Sequence, residues 1–186
     1  MSRFVLHPTP IRGLQVIERQ PIGDSRGFLE RLFCQETFSS LLRGRTIRQI
    51  NRTLTQKKGT VRGLHFQTPP HAETKIVTCL KGQVWDVAVD LRQGSSTFLH
   101  YHAVLLSEVN HQCYLIPEGF AHGFQTLTPD CEMLYFHTAD YNAEVEGALN
   151  ACDLRLAINW PEPIIERSER DTNRPMLTDD FIGMDL

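Results

Sequence analysis

The clearest pattern along the chain is alternation with a period of two. In "QVWDVAVDLR", Trp85, Val87, Val89 and Leu91 fall on one face and Val84, Asp86, Ala88 and Asp90 on the other. That spacing belongs to a strand, not a helix. Before it, "ETKIVTCL" runs into Lys81-Gly82, a turn signal; after it, "RQGS" turns into "STFLHYHAVLLS". "HQCYLIP" is a further strand, broken by Pro117 and Gly119, and "HGFQTLT" and "CEMLYFHTADY" flank the turn "TPD". Short strands at regular spacing, punctuated by Gly and Pro, predict an all-β sandwich or barrel. Helical spacing is confined to "CQETFSSLLRG", from Gln35 to Leu42 with a Gly stop, and the tail after Trp160 has room for one more short helix.

Faces of these strands mix large apolar residues with isolated polar ones. Met133, Tyr135 and His137 share one face, and Glu132, Leu134 and Phe136 the other. In a small barrel, inward residues either fill the interior or line a ligand cavity. At 186 residues with no repeat or linker, one domain over residues 1–186 is expected.

Composition narrows the function classes. Apolar content is an ordinary 41%, and no apolar run is long enough to cross a bilayer, so no membrane partner is expected. The start, "MSRFVLHPTPIRG", lacks the apolar core of a signal peptide. Five scattered cysteines without a C-x-x-C pair suit a reducing compartment, and a cytoplasmic location is expected. Charge is uneven: residues 1–62 hold 12 Lys/Arg against 4 Asp/Glu, and residues 63–186 hold 7 against 18. A basic first third on an acidic body points to an anionic ligand. With a pI near 6.2, a small phosphorylated molecule fits better than nucleic acid.

Chemistry-bearing residues crowd into "RGLHFQTPPHAETK", residues 62–75, and "IPEGFAHGF" supplies P-x-G-x-x-H through Pro117, Gly119 and His122. The latter resembles the second motif of the cupin superfamily, a jelly-roll barrel. Metal-binding cupins also carry an H-x-H pair, whereas here His65-Phe66-Gln67 lacks the second histidine. His65, His71, Glu73 and His122 would make a metal site only if a loop folded back to bring them together. A barrel without a metal is the expected reading.

Longer stretches carry a more specific resemblance. "KKGTVRGLHFQTPPHAETKIVTCLKGQVWDVAVDLRQGSSTF", "LIPEGFAHGFQTL" and "LAINWP", in that order, resemble the dTDP-4-dehydrorhamnose 3,5-epimerase family, with coverage from "DSRGFLERLF" to "SERD". The resemblance implies a cupin jelly-roll barrel with short flanking helices. It also implies an enzyme without cofactor that inverts carbon 5, and in most members carbon 3, of a nucleotide-linked 4-keto-6-deoxyhexose. Inverting a carbon beside a ketone needs a base on one face, an acid on the other, and a donor at the ketone oxygen of the enolate. By resemblance the base is His65 with Asp171 as its partner, the acid is Tyr135, and Lys75 stabilises the enolate oxygen. A carboxylate on one ring nitrogen fixes the tautomer and stabilises the imidazolium. Arg26, Gln49, Asn51 and Arg62 are implied to hold the nucleotide diphosphate, and His122, Tyr141, Glu146 and Arg170 complete the substrate-binding set. A homodimer is implied too, because part of this site comes from a neighbouring subunit.

Some positions depart from the family pattern. Arg31 stands where many members have a Glu, Phe136 and then His137 follow Tyr135 where many have a Lys, and the C-terminal motif reads Ser168-Glu169-Arg170-Asp171. These departures leave the nucleobase and the number of carbons inverted open, and assign no role to His71, Glu73, Arg31 or His137, although His71 and Glu73 are expected at the rim. The competing readings are a single-carbon epimerase, an enzyme for a CDP- or other NDP-sugar, a metal-dependent cupin oxygenase, and a sugar-nucleotide binder without turnover.

Overall fold

The computed structural model describes residues 3–186. Eight strands build the centre: β5 (Gln49–Thr55), β6 (Val61–Gln67), β7 (Lys75–Lys81), β8 (Gln83–Asp90), β9 (Tyr101–Ser107), β10 (Gln112–Ile116), β11 (Phe120–Thr126) and β12 (Cys131–His137). Their pairing is nested: β5 with β12, β6 with β11, β7 with β10, β8 with β9, all antiparallel. A ribbon folded at the β8–β9 turn and rolled up gives this order, which is the jelly roll expected from the resemblance. One sheet runs β1-β2-β10-β7-β12-β5, extended by β1 (Phe4–Pro8) and β2 (Gln15–Arg19); the other runs β13-β6-β11-β8-β9, ended by β13 (Glu146–Ala148). A small hairpin, β3 (Ile22–Asp24) with β4 (Gly27–Leu29), stands apart from both.

Three apolar layers explain why β8 is buried on both faces. Val84 and Ala88 enter the layer between the sheets, with Val77, Leu106, Tyr114, Phe124 and Met133. Val87, Val89 and Leu91 point outward, where Leu149, Leu156 and Met184 of the C-terminal segment cover them. On the other sheet, Ile76, Leu115 and Phe136 are covered by Phe38 and Leu42. β7, β8 and β11 stay largely buried on both faces because each sheet has a lid as well as an interior, whereas the edge strand β5 is largely exposed.

Several elements differ from the sequence reading. The helix expected over Gln35–Leu42 is one turn, α1 (Gln35–Phe38). The Ser39 hydroxyl donates to the Glu36 carbonyl, a local bond that competes with helix continuation, although Phe38 and Leu42 still reach the core. "STFLHYHAVLLS" is strand only from Tyr101. Ser95 and Thr97 hydroxyls both donate to the Asp90 carboxylate and wind the preceding segment into turns. The short helix after Trp160 is present as α2 (Glu169–Thr172). Strands β1 to β6 were not legible as strands from the hydrophobic pattern.

The basic first third is mostly neutralised within the chain. Arg45 pairs with Glu118, Arg48 with Asp140, Arg52 with Glu132, Lys57 with Glu166 and Lys58 with Glu162, while Arg19 is buried against Glu30. Part of the charge asymmetry is thus met by the acidic remainder, while Arg62 of the same third lines the interior cavity.

One irregularity shapes the interior. His122 pairs with His65 and Phe124 with Arg62, so β6 fits one extra residue against β11, a β-bulge. Residues three apart on a regular strand face opposite ways; with the bulge, Arg62 and His65 line the same cavity. Glycines permit it: a Cβ on Gly63 would lie 2.6 Å from both the Gly123 Cα and the His122 carbonyl oxygen, and Gly63 has φ +114°. Gly63→Ala is therefore expected to cost about 2–4 kcal/mol from overpacking and backbone strain. Gly94→Ala, at φ +73° with no atom within 4 Å of the added carbon, should cost only about 1–2 kcal/mol. Thermal unfolding of both variants checks this; equal shifts would contradict the bulge's role.

Candidate active site

The apolar layer between the sheets fills one end of the roll. The other end is a cavity of about 590 Å³, lined by β5, β6, β7, β11 and β12 and by the segment around α2. That volume suits a substrate-sized ligand.

On the β6 wall, His65 Nε2 lies 2.7 Å from Asp171 Oδ1. Asp171 is buried in α2, whose first turn is capped by the Ser168 hydroxyl accepting from the Asp171 amide. Its second carboxylate oxygen accepts from the Gly63 amide at 3.3 Å, so the bulge also fixes the carboxylate. Burial alone would raise the Asp171 carboxyl; the hydrogen bond and charge of His65, with the Gly63 and Ser168 donors, outweigh it and hold the group below its ordinary value. The carboxylate stays charged and engages one nitrogen of the imidazole, whose ring borders the cavity.

Next to it on β11, His122 Nε2 meets Asp86 Oδ1 at 2.8 Å, both residues buried. Burial pushes the Asp86 carboxyl up against the opposing pull of His122 and Lys75. Asp86 was not singled out in the sequence, although its place on the same face as Val84 and Ala88 was a signal: an acid among inward apolar residues needs a partner.

The facing wall belongs to β12 and β7. Tyr135 packs edge-on to His122, ring centroids 6.2 Å apart, and its hydroxyl lies 3.4 Å from the Thr53 hydroxyl. Burial pushes its phenol well above the ordinary value, with Thr53 and Arg62 pulling the other way. The phenol is therefore held protonated. Lys75, buried at the start of β7, places Nζ 3.2 Å from Glu73 Oε1 and 3.5 Å from the His65 carbonyl oxygen. His137, two residues beyond Tyr135 on the same face, puts Nδ1 2.8 Å from Glu73 Oε2.

Of the expected binding residues, Asn51, Arg62, Tyr141, Glu146 and Arg170 line the cavity beside His122. Arg62 donates to the Thr55 hydroxyl and Leu54 carbonyl, which aim its guanidinium. Arg170 and the Tyr141 hydroxyl both engage Glu146, tying α2 to β13 at the mouth. Gln49 is set back and accepts from the Tyr141 amide. Arg26 is elsewhere: it sits in the β3–β4 turn, paired with Asp24, with its side chain 88% exposed.

Two further expectations change. Glu73 is not at the rim but on the cavity wall, its side chain held by Lys75 and His137; β7 begins two residues after it, at Lys75. His71 lies outside the cavity lining and contacts Asn142 at 3.3 Å. The set His65, His71, Glu73 and His122 therefore does not converge, and among the described residues no group of three or more His, Cys, Asp or Glu is placed to hold a metal ion.

Comparison with known proteins agrees with this geometry. The family model described as dTDP-4-dehydrorhamnose 3,5-epimerase matches residues 8–179. The dTDP-4-dehydrorhamnose 3,5-epimerase of Salmonella typhimurium is 41% identical over 94% of this chain and 96% of its own. Among solved structures, the dTDP-6-deoxy-D-glucose-3,5-epimerase of Legionella pneumophila, in complex with dTDP-4-keto-L-rhamnose, superposes with a TM-score of 0.91 at 36% identity, covering 98% of each chain. The dTDP-4-dehydrorhamnose 3,5-epimerase of Bacillus anthracis, with TDP and PPi bound, gives 0.88 at 35% identity, over 94% of this chain and 99% of that one. With its jelly roll, its paired His65 and Asp171 and these relatives spanning nearly its whole length, the chain belongs to the dTDP-4-dehydrorhamnose 3,5-epimerase family of isomerases.

Proposed function

We propose that the chain acts as one catalytic domain over residues 1–186 and inverts carbon 5, then carbon 3, of a dTDP-linked 4-keto-6-deoxyhexose. The observation that carries this reading is an imidazole on one sheet and a phenol on the other, bordering one cavity. The ligands of the Legionella and Bacillus neighbours support the nucleotide.

His65 removes the proton beside the ketone, and Asp171 steadies the imidazolium that results. The electron pair moves to the ketone oxygen, giving an enolate that the Lys75 ammonium stabilises. Tyr135 then delivers its proton to the opposite face of the same carbon, which completes the inversion. The substrate's own ketone is the electron sink, so the chain's residues have only to move protons and hold charge. Arg62 offers the fork of donors that suits a diphosphate, and Asn51 adds a donor beside it.

A homodimer completes the site in this reading. The β3–β4 hairpin leaves Phe28 and Leu29 66% and 68% exposed, next to Arg26. Apolar side chains at such exposure favour burial against another surface, and a partner's cavity would receive Arg26 with them. Five free cysteines and the absence, among the described residues, of any helix long and apolar enough to cross a membrane support work in the reducing cytoplasm.

His65→Asn should abolish exchange of the substrate's C5 and C3 hydrogens with D₂O, followed by NMR with dTDP-4-keto-6-deoxyglucose; exchange at the unmodified rate would remove His65 from the base role. Tyr135→Phe should retain C5 exchange while product formation falls about 100-fold or more. Equal loss of exchange and product would make Tyr135 structural instead.

A further inference from the structure

Lys75 carries a charge next to a buried carboxylate, and the two observations together pose a problem. An ammonium meant to stabilise an enolate oxygen is most useful if its direction is fixed before the charge develops. Lysine has four rotatable bonds in its stem, and burial alone does not choose among their settings. Here a single carboxylate makes that choice. Glu73 grips Lys75 Nζ with Oε1 at 3.2 Å and His137 Nδ1 with Oε2 at 2.8 Å, and its side chain is only 8% exposed.

His137 is the fixed end of this bracket. It is the last residue of β12, opposite Lys75 and Gln49, the first residues of β7 and β5, in the antiparallel register. Its ring stacks near that of Tyr135, centroids 6.1 Å apart at 21°, and its Nε2 lies 3.5 Å from the Asn51 side-chain nitrogen. These contacts orient the ring, and the ring orients the carboxylate bonded to it. A carboxylate held from two sides is less free to follow either partner.

We propose that Glu73, anchored by His137, is the positioning residue that aims Lys75 at the substrate's carbonyl oxygen. The inference rests on the epimerase reading above, in which Lys75 meets that oxygen. Glu73 itself touches no reacting atom; its effect passes through the ammonium. It stands at neither the base nor the acid, and its loss should change how well the enolate is stabilised, not which face is protonated. Two residues the sequence left without a role, Glu73 and His137, thereby acquire one joint function.

A double-mutant cycle on kcat tests it, with dTDP-4-keto-6-deoxyglucose as substrate and Glu73→Ala, Lys75→Met and the double variant compared with the unmodified chain. Lys75→Met should lower kcat about 100-fold or more. Glu73→Ala should lower it about 10- to 100-fold with KM changed less than about threefold, since a misdirected group acts on the transition state more than on binding. The double variant should be no slower than Lys75→Met alone, because a positioning residue has nothing left to position. Multiplying losses, or a Glu73→Ala protein whose kcat is unchanged, would overturn the inference while leaving the epimerase reading intact. Failure of the unmodified chain to convert this sugar would overturn both.

Discussion

The buried carboxylate of Asp171 must be satisfied, and the way it is satisfied organises the site. One oxygen receives the imidazole of His65 and the other the amide of Gly63. An unpaired carboxylate at this depth would cost several kcal/mol, so the C-terminal turn that carries it, the bulge that supplies the amide and the strand that supplies the imidazole have to arrive together. The Ser168 cap holds the turn, the glycines allow the bulge, and Arg170 ties the same turn to Glu146 at the mouth. Fold and site are therefore coupled at one point, the bulge between the paired strands β6 and β11.

The same solution recurs around the cavity. Asp171 with His65, Asp86 with His122 and Glu73 with His137 are three carboxylate–imidazole pairs with contacts of 2.7 to 2.8 Å. Each carboxylate occupies one ring nitrogen, which fixes the orientation of the ring. The pairs differ in surroundings. Asp171 is held charged by several donors, whereas burial pushes Asp86 up and leaves its second oxygen without a hydrogen-bond partner. Such differences set the His65 pair, which exchanges the proton in the proposed reaction, apart from the more deeply buried His122 pair on the same wall.

How much of this could be read from the chain depends on the kind of signal involved. Strands β7 to β12 were legible because their alternation is uninterrupted and glycines or prolines mark their ends. Strands β1 to β4 were not, since "FVLHP", "QVIER" and the short hairpin are too brief and too polar to stand out. β6 was hidden by its own bulge, which breaks the period on which recognition depends. The pairing of His65 with Asp171 across the whole fold could be reached only through resemblance, for no local pattern joins two residues so far apart. Glu73 illustrates the opposite failure. A glutamate beside two prolines reads as surface, and only the partners Lys75 and His137 explain its burial. Likewise composition cannot separate Arg48, Arg52 and Lys57, which have acidic partners within the chain, from Arg62, which lines the cavity.

The central claim is that proton removal and proton delivery occur on opposite walls, at His65 and Tyr135. The isotopic fate of carbon 5 in a single turnover tests it most directly. Excess protein is mixed with unlabelled dTDP-4-keto-6-deoxyglucose in D₂O, and the first product formed is analysed by NMR and mass spectrometry. Two groups on separate walls predict that every inverted C5 carries solvent deuterium. Product that keeps the substrate's own hydrogen at C5 would mean that one group carries the proton from face to face, and would contradict the account.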